Sequence, residues 1–499
     1  MTDYLAFDLG ASNGRCVFAR FDGQQLHLED VHRFENGPVE VLGHFYWDVL
    51  GLFSQIKTGI LKTRQKYGRS ATSLGLDTWG CDFALLDAKG KLLSNPYCYR
   101  DPQTAGIIET AFEAMSRMEV FLETGLQFIE PNSLFQLLAM QRRQDPILET
   151  AATFFHIPDL LHYWMTGQKT SEYTAASTSQ LINAVTQQWS RPVINAYHLP
   201  DNIFPPIIQP GTSLGRVGKE LGAELDWPEL CVTATATHDT AAAIAAAPAQ
   251  GSNFAYISSG TWALLGQEIS QPLLSAECMH MNVANEGGAF GTITFLRNIT
   301  SMWLLQECRR QWSFDGEPLT WDEMVQSANA EIPFQGFVDP DDPAFVVPGN
   351  MPARIQRYLA NSNQPVPQSK GGIVRVILES LAFKYRYTLE RVLLVTGKPA
   401  DVLHIIGGGS KNRMLNQFCA NATHLPVVAG PHEATIIGNV LLQMAATGEV
   451  KSLDEARELV RNSFPTELYF PADAQTWDDQ YAKYLRQTGL SNSRETIHH

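Results

Sequence analysis

Two segments carry one plan about half a chain apart, and that repetition restricts what the chain folds into more than any other feature. In the first, the apolar run Tyr4-Leu5-Ala6-Phe7 delivers Asp8 to its end. A small turn follows (Leu9-Gly10-Ala11-Ser12-Asn13-Gly14), and from Arg15 the chain resumes as the alternating stretch Cys16-Val17-Phe18-Ala19-Arg20. In the second, Phe254-Ala255-Tyr256-Ile257 enters the turn Ser258-Ser259-Gly260-Thr261 and leaves as Trp262-Ala263-Leu264-Leu265-Gly266. Strand, small turn, strand, stated twice, predicts a duplicated α/β fold in which each half contributes one hairpin. The plainer alternative is a β-sandwich with two unrelated Ser/Gly turns.

The residue types in the first turn suit phosphate. Gly, Ala and Ser let backbone N–H groups approach an anion without side-chain obstruction. Arg15 offers a planar charged fork to the same oxygens. Asp8 is a hard oxygen ligand for magnesium, directly or through water. An ordinary hairpin with a solvated Arg reads equally well from this segment alone.

A chain of 499 residues predicts two domains with separate cores. Pro248 to Gly251 punctuates the boundary, giving domains 1–248 and 249–475 and a polar, frayed tail 476–499. A net charge of −15 argues against a nucleic-acid partner. It leaves a nucleotide pocket open, because backbone amides bind phosphate locally whatever the global sign. The seven cysteines are scattered singly without Cys-x-x-Cys, which removes the signature of zinc or thioredoxin chemistry and fits a reducing compartment. The N-terminus carries Asp3 and Asp8 where a signal peptide needs a basic and then apolar stretch. No stretch is apolar enough to span a bilayer, so a soluble cytoplasmic protein is expected. There is no Gly-x-x-x-x-Gly-Lys-Ser/Thr loop, which closes the P-loop route to ATP.

Four further segments bear on chemistry. His238-Asp239-Thr240 lies where the apolar run Val232 to Ala236 meets an alanine-rich helix beginning at Thr240. A carboxylate there can accept a proton from a hydroxyl attacking a γ-phosphate, or can merely cap the helix. Asp77 and Asp82 flank Trp79-Gly80 on an expected strand–turn–strand, which reads either as a sugar platform or as a core Trp beside a tight turn. Gly407-Gly408-Gly409 follows the strand Val402 to Ile406 and admits a nucleotide close to the backbone, or is a plain loop. Asn298 and Gln306, eight residues apart, are expected on nearly one face of a helix.

Taken together these segments resemble the FGGY carbohydrate kinases of the actin-like ATPase superfamily. The resemblance runs from about Tyr4 to about Thr447 and includes Tyr99-Arg100-Asp101, Ile157-Pro158-Asp159, Ser177 to Leu181 and Asn285-Glu286-Gly287-Gly288. It implies a two-domain, ribonuclease H-like duplicated fold with an interdomain cleft, and ATP with Mg2+ as cofactors. The Asp77-Thr78-Trp79-Gly80-Cys81-Asp82 and Asn285-Glu286-Gly287-Gly288 pieces, with the Asn298-to-Gln306 segment, point to L-rhamnulose as the sugar and to phosphorylation of its C1 hydroxyl in rhamnose catabolism. Kinases of L-fuculose or L-xylulose share the scaffold, and a non-catalytic sugar sensor is the alternative from another class. By resemblance, Ala11, Ser12, Asn13, Gly14, Arg15 and Thr261 would hold the ATP phosphates, with Gly408 and Gln306 also on the nucleotide. Gly80, His238, Thr240 and Asn298 would bind the sugar, Asp239 would be the catalytic base, and Asp8 would lie by the metal. Asn13 stands where the family pattern has Ser, a change that a tight turn tolerates.

Overall fold

A computed structural model describes residues 1–491. The chain divides into two compact units, each discontinuous in sequence. The first comprises Met1–Pro248, Glu268–Phe295 and Ala434–Phe464, and the second comprises Ala249–Gln267, Leu296–Glu433 and the chain from Pro465 on.

The sheet of the first unit runs Thr212–Arg216, Cys231–Ala234, Ala71–Thr78, Thr2–Leu9, Asn13–Phe21, Leu26–Glu35. Thr2–Leu9 pairs antiparallel with Asn13–Phe21 and parallel with Ala71–Thr78, which in turn lies parallel to Cys231–Ala234. Six successive strands of the other, seven-stranded sheet repeat this order: Glu467–Tyr469, Val427–Ala429, Val402–Ile406, Phe254–Ser259, Trp262–Ile269, Ile293–Thr300. Here too the first hairpin strand pairs antiparallel with its partner and parallel with the next strand inward. The expected duplication is therefore present across these six strands.

The central strands read as unbroken apolar runs because helices cover both faces. On one face, the helix Val49–Tyr67 starts where the Asp48 carboxylate accepts the Gly51 N–H at 2.9 Å. Its buried Leu52, Ile56 and Ile60 join Leu5, Phe7 and Leu9 in one core. On the other face, the helix Ala434–Thr447 lays polar residues on the sheet: Gln443 Nε2 donates to the Leu5 carbonyl at 3.1 Å, and the Ser73 hydroxyl donates to Gln443 Oε1 at 2.6 Å. The alanine-rich helix Asp239–Ala245 packs on Ala434–Thr447 so closely that a Cβ on Gly438 would lie 1.8 Å from the Ala242 carbonyl oxygen.

Several expectations need correction. Ala71–Thr78 and Phe83–Leu86 are both strands, but they do not form one hairpin; Phe83–Leu86 pairs with Thr153–His156 instead. The region 103–200 holds short helices separated by two-residue strands such as Ser171–Glu172 and Ile182–Asn183. The expected frayed tail is ordered through Ala474–Thr488, a helix anchored by buried Trp477, Tyr481 and Tyr484 spaced at helical intervals. The remainder of that tail, 492–499, lies outside the described residues. No described helix is long and apolar enough to cross a membrane, and all seven cysteines are free thiols.

Candidate active site

Strand register builds the centre of the first unit. Asp8 stands directly opposite Arg15 on one neighbouring strand and opposite Asp77 on the other. Directly opposed residues point to the same face, so the three side chains form one row across the sheet. The Arg15 guanidinium donates to Asp8 Oδ2 through Nε at 3.1 Å and Nη2 at 2.9 Å. Two of its donors are thus engaged within the protein.

Asp77 is fully buried, and its Oδ2 accepts from Asn439 Nδ2 at 2.6 Å while Oδ1 has no hydrogen-bond partner. Burial first, and then the charge of Asp8, hold the Asp77 carboxyl well above the usual carboxylate range.

The strands ending at Leu9, Thr78 and Ala234 run parallel, so their carboxyl ends share one edge, the usual place for ligands in an open α/β sheet. Asp239 enters at that edge, at the first position of the helix Asp239–Ala245. Its side chain is 36 % exposed, the Thr240 hydroxyl donates to its Oδ1 at 3.2 Å, and His238 Nε2 lies 3.5 Å from the same oxygen. Burial, and secondarily the Asp8 charge, push the Asp239 carboxyl up to about 7. A carboxylate so raised is a stronger base than a free one and is poised near neutral pH. On its other side, His238 Nδ1 lies 3.4 Å from Glu286 Oε2. Burial lowers the His238 pKa, and the Glu286 charge partly opposes that.

The phosphate-type turn is held in place by a residue the sequence does not single out. Asn36 donates its side-chain amide to the Gly10 carbonyl at 2.8 Å and its backbone N–H to the Ser12 carbonyl at 3.2 Å. The Asn13–Glu35 pairing brings Asn36 there, and no local signal announces it. Ser12 and Asn13 remain exposed at the tip, while Gly14 leaves room for the Phe34 ring, which a Cβ would meet at 2.3 Å.

The Trp79 ambiguity resolves toward the core. Trp79 is 6 % exposed, and its ring lies 4.1 Å from that of Trp47. Both indole N–H groups donate to Asp82 Oδ2, at 2.8 and 2.6 Å, and Gln136 donates to Oδ1 at 2.9 Å. Asp82 thus organises buried donors. Gly80, next to Trp79, has Thr178 where a Cβ would point, 3.0 Å away, and the Thr178 hydroxyl accepts the Cys81 N–H at 2.9 Å.

In the second unit, the hairpin turn Gly260-Thr261 is closed by Gly260 N–H donating to the Trp262 carbonyl at 2.8 Å, and the Thr261 carbonyl accepts from the Trp303 N–H at 3.1 Å. The parallel pairing of Ser258 with Ile406 brings the triple glycine alongside. Gly407 adopts φ 81°, and a Cβ on Gly409 would lie 2.0 Å from Ser259 Oγ. Gly408 is exposed, with open space where a Cβ would stand. Here the glycines are required by close approach to the hairpin, and Gly408 is the one left facing outward.

Asn298 and Gln306 do not share a helix, contrary to expectation. Asn298 lies on the strand Ile293–Thr300, and Gln306 lies on the helix Trp303–Phe314. The β-branched Ile293, Thr294, Ile299 and Thr300 keep that segment extended up to Ser301.

Asp8 supplies carboxylate oxygens, the chemistry of a hard divalent cation that completes its shell with phosphate oxygens. Among the described residues, no group of three or more His, Cys, Asp or Glu forms a cage for a metal by itself. A lone carboxylate of this kind fits a hard cation such as Mg2+ whose other ligands come from phosphate and water.

Comparison with known proteins shows the family. Residues 3–246 match the N-terminal domain model of the FGGY family of carbohydrate kinases, and residues 255–447 match its C-terminal domain model. A rhamnulokinase of Bacteroides thetaiotaomicron is 44 % identical over 482 residues, covering 97 % of this chain and 98 % of that protein. One from Enterococcus faecalis is 39 % identical, covering 98 % of each chain. Among solved structures, ligand-bound xylulose kinase from Lactobacillus acidophilus superposes with a TM-score of 0.79 at 16 % identity, covering 97 % of each chain. Plasmodium falciparum glycerol kinase with ADP gives 0.78 at 17 % identity, covering 99 % of each. These two likenesses show the fold.

Proposed function

Because this chain belongs to the FGGY family of carbohydrate kinases, we propose that it transfers the γ-phosphoryl group of ATP to the C1 hydroxyl of L-rhamnulose. The observation that carries this reading is Asp239, a carboxyl raised to about 7 and partly open at the edge where three parallel strands end. Full-length relatives named rhamnulokinase support the choice of sugar.

In the proposed step Asp239 accepts the proton of the C1 hydroxyl. That oxygen bonds to the γ-phosphorus, the bond from the γ-phosphorus to the β–γ bridging oxygen breaks, and ADP departs. On the first unit, His238, Thr240 and Gly80 hold the sugar. The turn Ala11, Ser12, Asn13, Gly14, Arg15 contributes backbone N–H groups and charge to phosphate. Mg2+, with Asp8 beside it, would neutralise charge on the phosphates. A sensor of the same fold has no need of a base at that edge.

The test is ADP release, coupled to a spectrophotometric readout, across L-rhamnulose, L-fuculose, L-xylulose and D-xylulose. The reading expects the highest kcat/KM with L-rhamnulose. A higher value with another ketose reassigns the sugar, and no ADP release with any sugar removes kinase activity.

A further inference from the structure

Asp239 is only as well placed as the two residues before it, and their backbone is held from behind by a group that no motif announces. Glu172 is fully buried on the short strand Ser171–Glu172. Its Oε2 accepts from the Thr237 hydroxyl at 2.6 Å, the Thr237 N–H at 3.1 Å and the Thr174 hydroxyl at 2.5 Å. Its Oε1 accepts the Thr174 N–H at 2.9 Å. The Thr174 hydroxyl in turn accepts the His238 N–H at 3.1 Å, and the Thr237 carbonyl accepts the Thr78 N–H at 2.9 Å. Glu172 is itself fixed, since its own N–H donates to Asp159 Oδ1 at 3.0 Å.

We infer that Glu172 is a positioning residue for Asp239, acting through Thr237 and Thr174 to fix the backbone from which the base projects. Every polar backbone group from the Thr237 N–H to the His238 N–H ends on this clamp or on Thr78. A carboxylate suits the position because it only accepts, and every neighbour directed at it donates. Glutamine keeps the shape but turns an NH2 toward one of those donors. The consequence falls on alignment: a base displaced by about 1 Å costs on the order of a hundredfold in rate without changing what the nucleotide touches.

The inference rests on the proposed role of Asp239, so its test carries a readout independent of the sugar. Glu172→Gln, Thr237→Val and the double variant are purified and assayed with L-rhamnulose and ATP. Hydrogen–deuterium exchange is followed on the peptide spanning 235–241. Each single variant is expected to lose about tenfold to a hundredfold in kcat with KM for ATP within about twofold. The double variant is expected to be no slower than the slower single, because the two groups act as one unit. Exchange at Thr237 and His238 is expected to speed up in Glu172→Gln. A folded Glu172→Gln with wild-type kcat and unchanged exchange overturns the inference, as does a multiplicative double variant. Should Glu172→Gln fail to fold, Thr237→Val decides by the same criteria. Absence of turnover in the wild-type protein fails the proposed function instead, and exchange then still tests the clamp.

Discussion

Asn439 Nδ2 donates to Asp77 Oδ2 at 2.6 Å, joining the helix Ala434–Thr447 to the row of side chains that includes Asp8 and Arg15. The two residues are 362 positions apart, yet among the described residues this bond is the single donor to a fully buried carboxyl. Asn439→Leu deletes it, leaving Asp77 desolvated and unpaired. A loss of about 1–3 kcal/mol in urea-denaturation stability is expected at pH 7. Stability equal to wild type would mean that Asp77 does not depend on this contact.

Asp239→Asn is expected to abolish phosphoryl transfer while leaving ATP binding, read by calorimetry, nearly intact. In the wild-type enzyme, kcat/KM is expected to fall about tenfold per pH unit below the raised pKa, which lies at about 7. A profile flat down to pH 5 would remove Asp239 as the base.

The same raised carboxyl has a cost in stability, with a definite sign. Between its ordinary value of 3.8 and about 7, the folded state holds a proton that the unfolded state has released, so this group's stabilising contribution declines as pH rises through that window. Asp239→Asn escapes the decline. Its melting temperature is expected to match wild type near pH 4 and to exceed it at pH 8, as measured by scanning calorimetry. A constant difference across that range would contradict the raised pKa.

Arg15→Ala is expected to lower kcat/KM for ATP about tenfold to a hundredfold, because it removes a charge from the turn and leaves Asp8 without the two bonds it accepts. Arg15→Lys is expected to restore little, since one ammonium cannot reproduce bonds from both Nε and Nη2. Unchanged ATP kinetics in Arg15→Ala would make the residue structural only.

Gly438→Ala is expected to destabilise by more than about 3 kcal/mol, or to prevent folding, because the new methyl would meet the backbone of Ala242 rather than a side chain that can turn aside. Wild-type stability in this variant, measured by denaturant titration, would show that the two helices move apart at little cost.

Much of this architecture is written in local residues. The two hairpins and their small turns, the helix opening at Asp48 and the buried strand Val402–Ile406 depend on apolar runs, caps and glycines that act over a few positions. Asp239 was legible for the same reason, as a carboxyl between an apolar strand and a run of alanines. Where strand and helix preferences compete, local reading fails. Asn298 and Gln306 fit a helical interval, yet a β-branched stretch keeps the first of them extended.

What only the tertiary structure decides is which groups share an environment. Sequence alone marked Asp8, Arg15, Asp77, Trp79 and Asp239 as residues with chemistry to offer. Strand register then set Asp8 between Arg15 and Asp77, and burial raised Asp77 and Asp239 while consigning Trp79 to the core. Asn36, Glu172 and Asn439 became partners of the site because distant segments were packed together. Hydrogen bonds and desolvation act over a few ångströms of space, and spacing along the chain does not encode those distances.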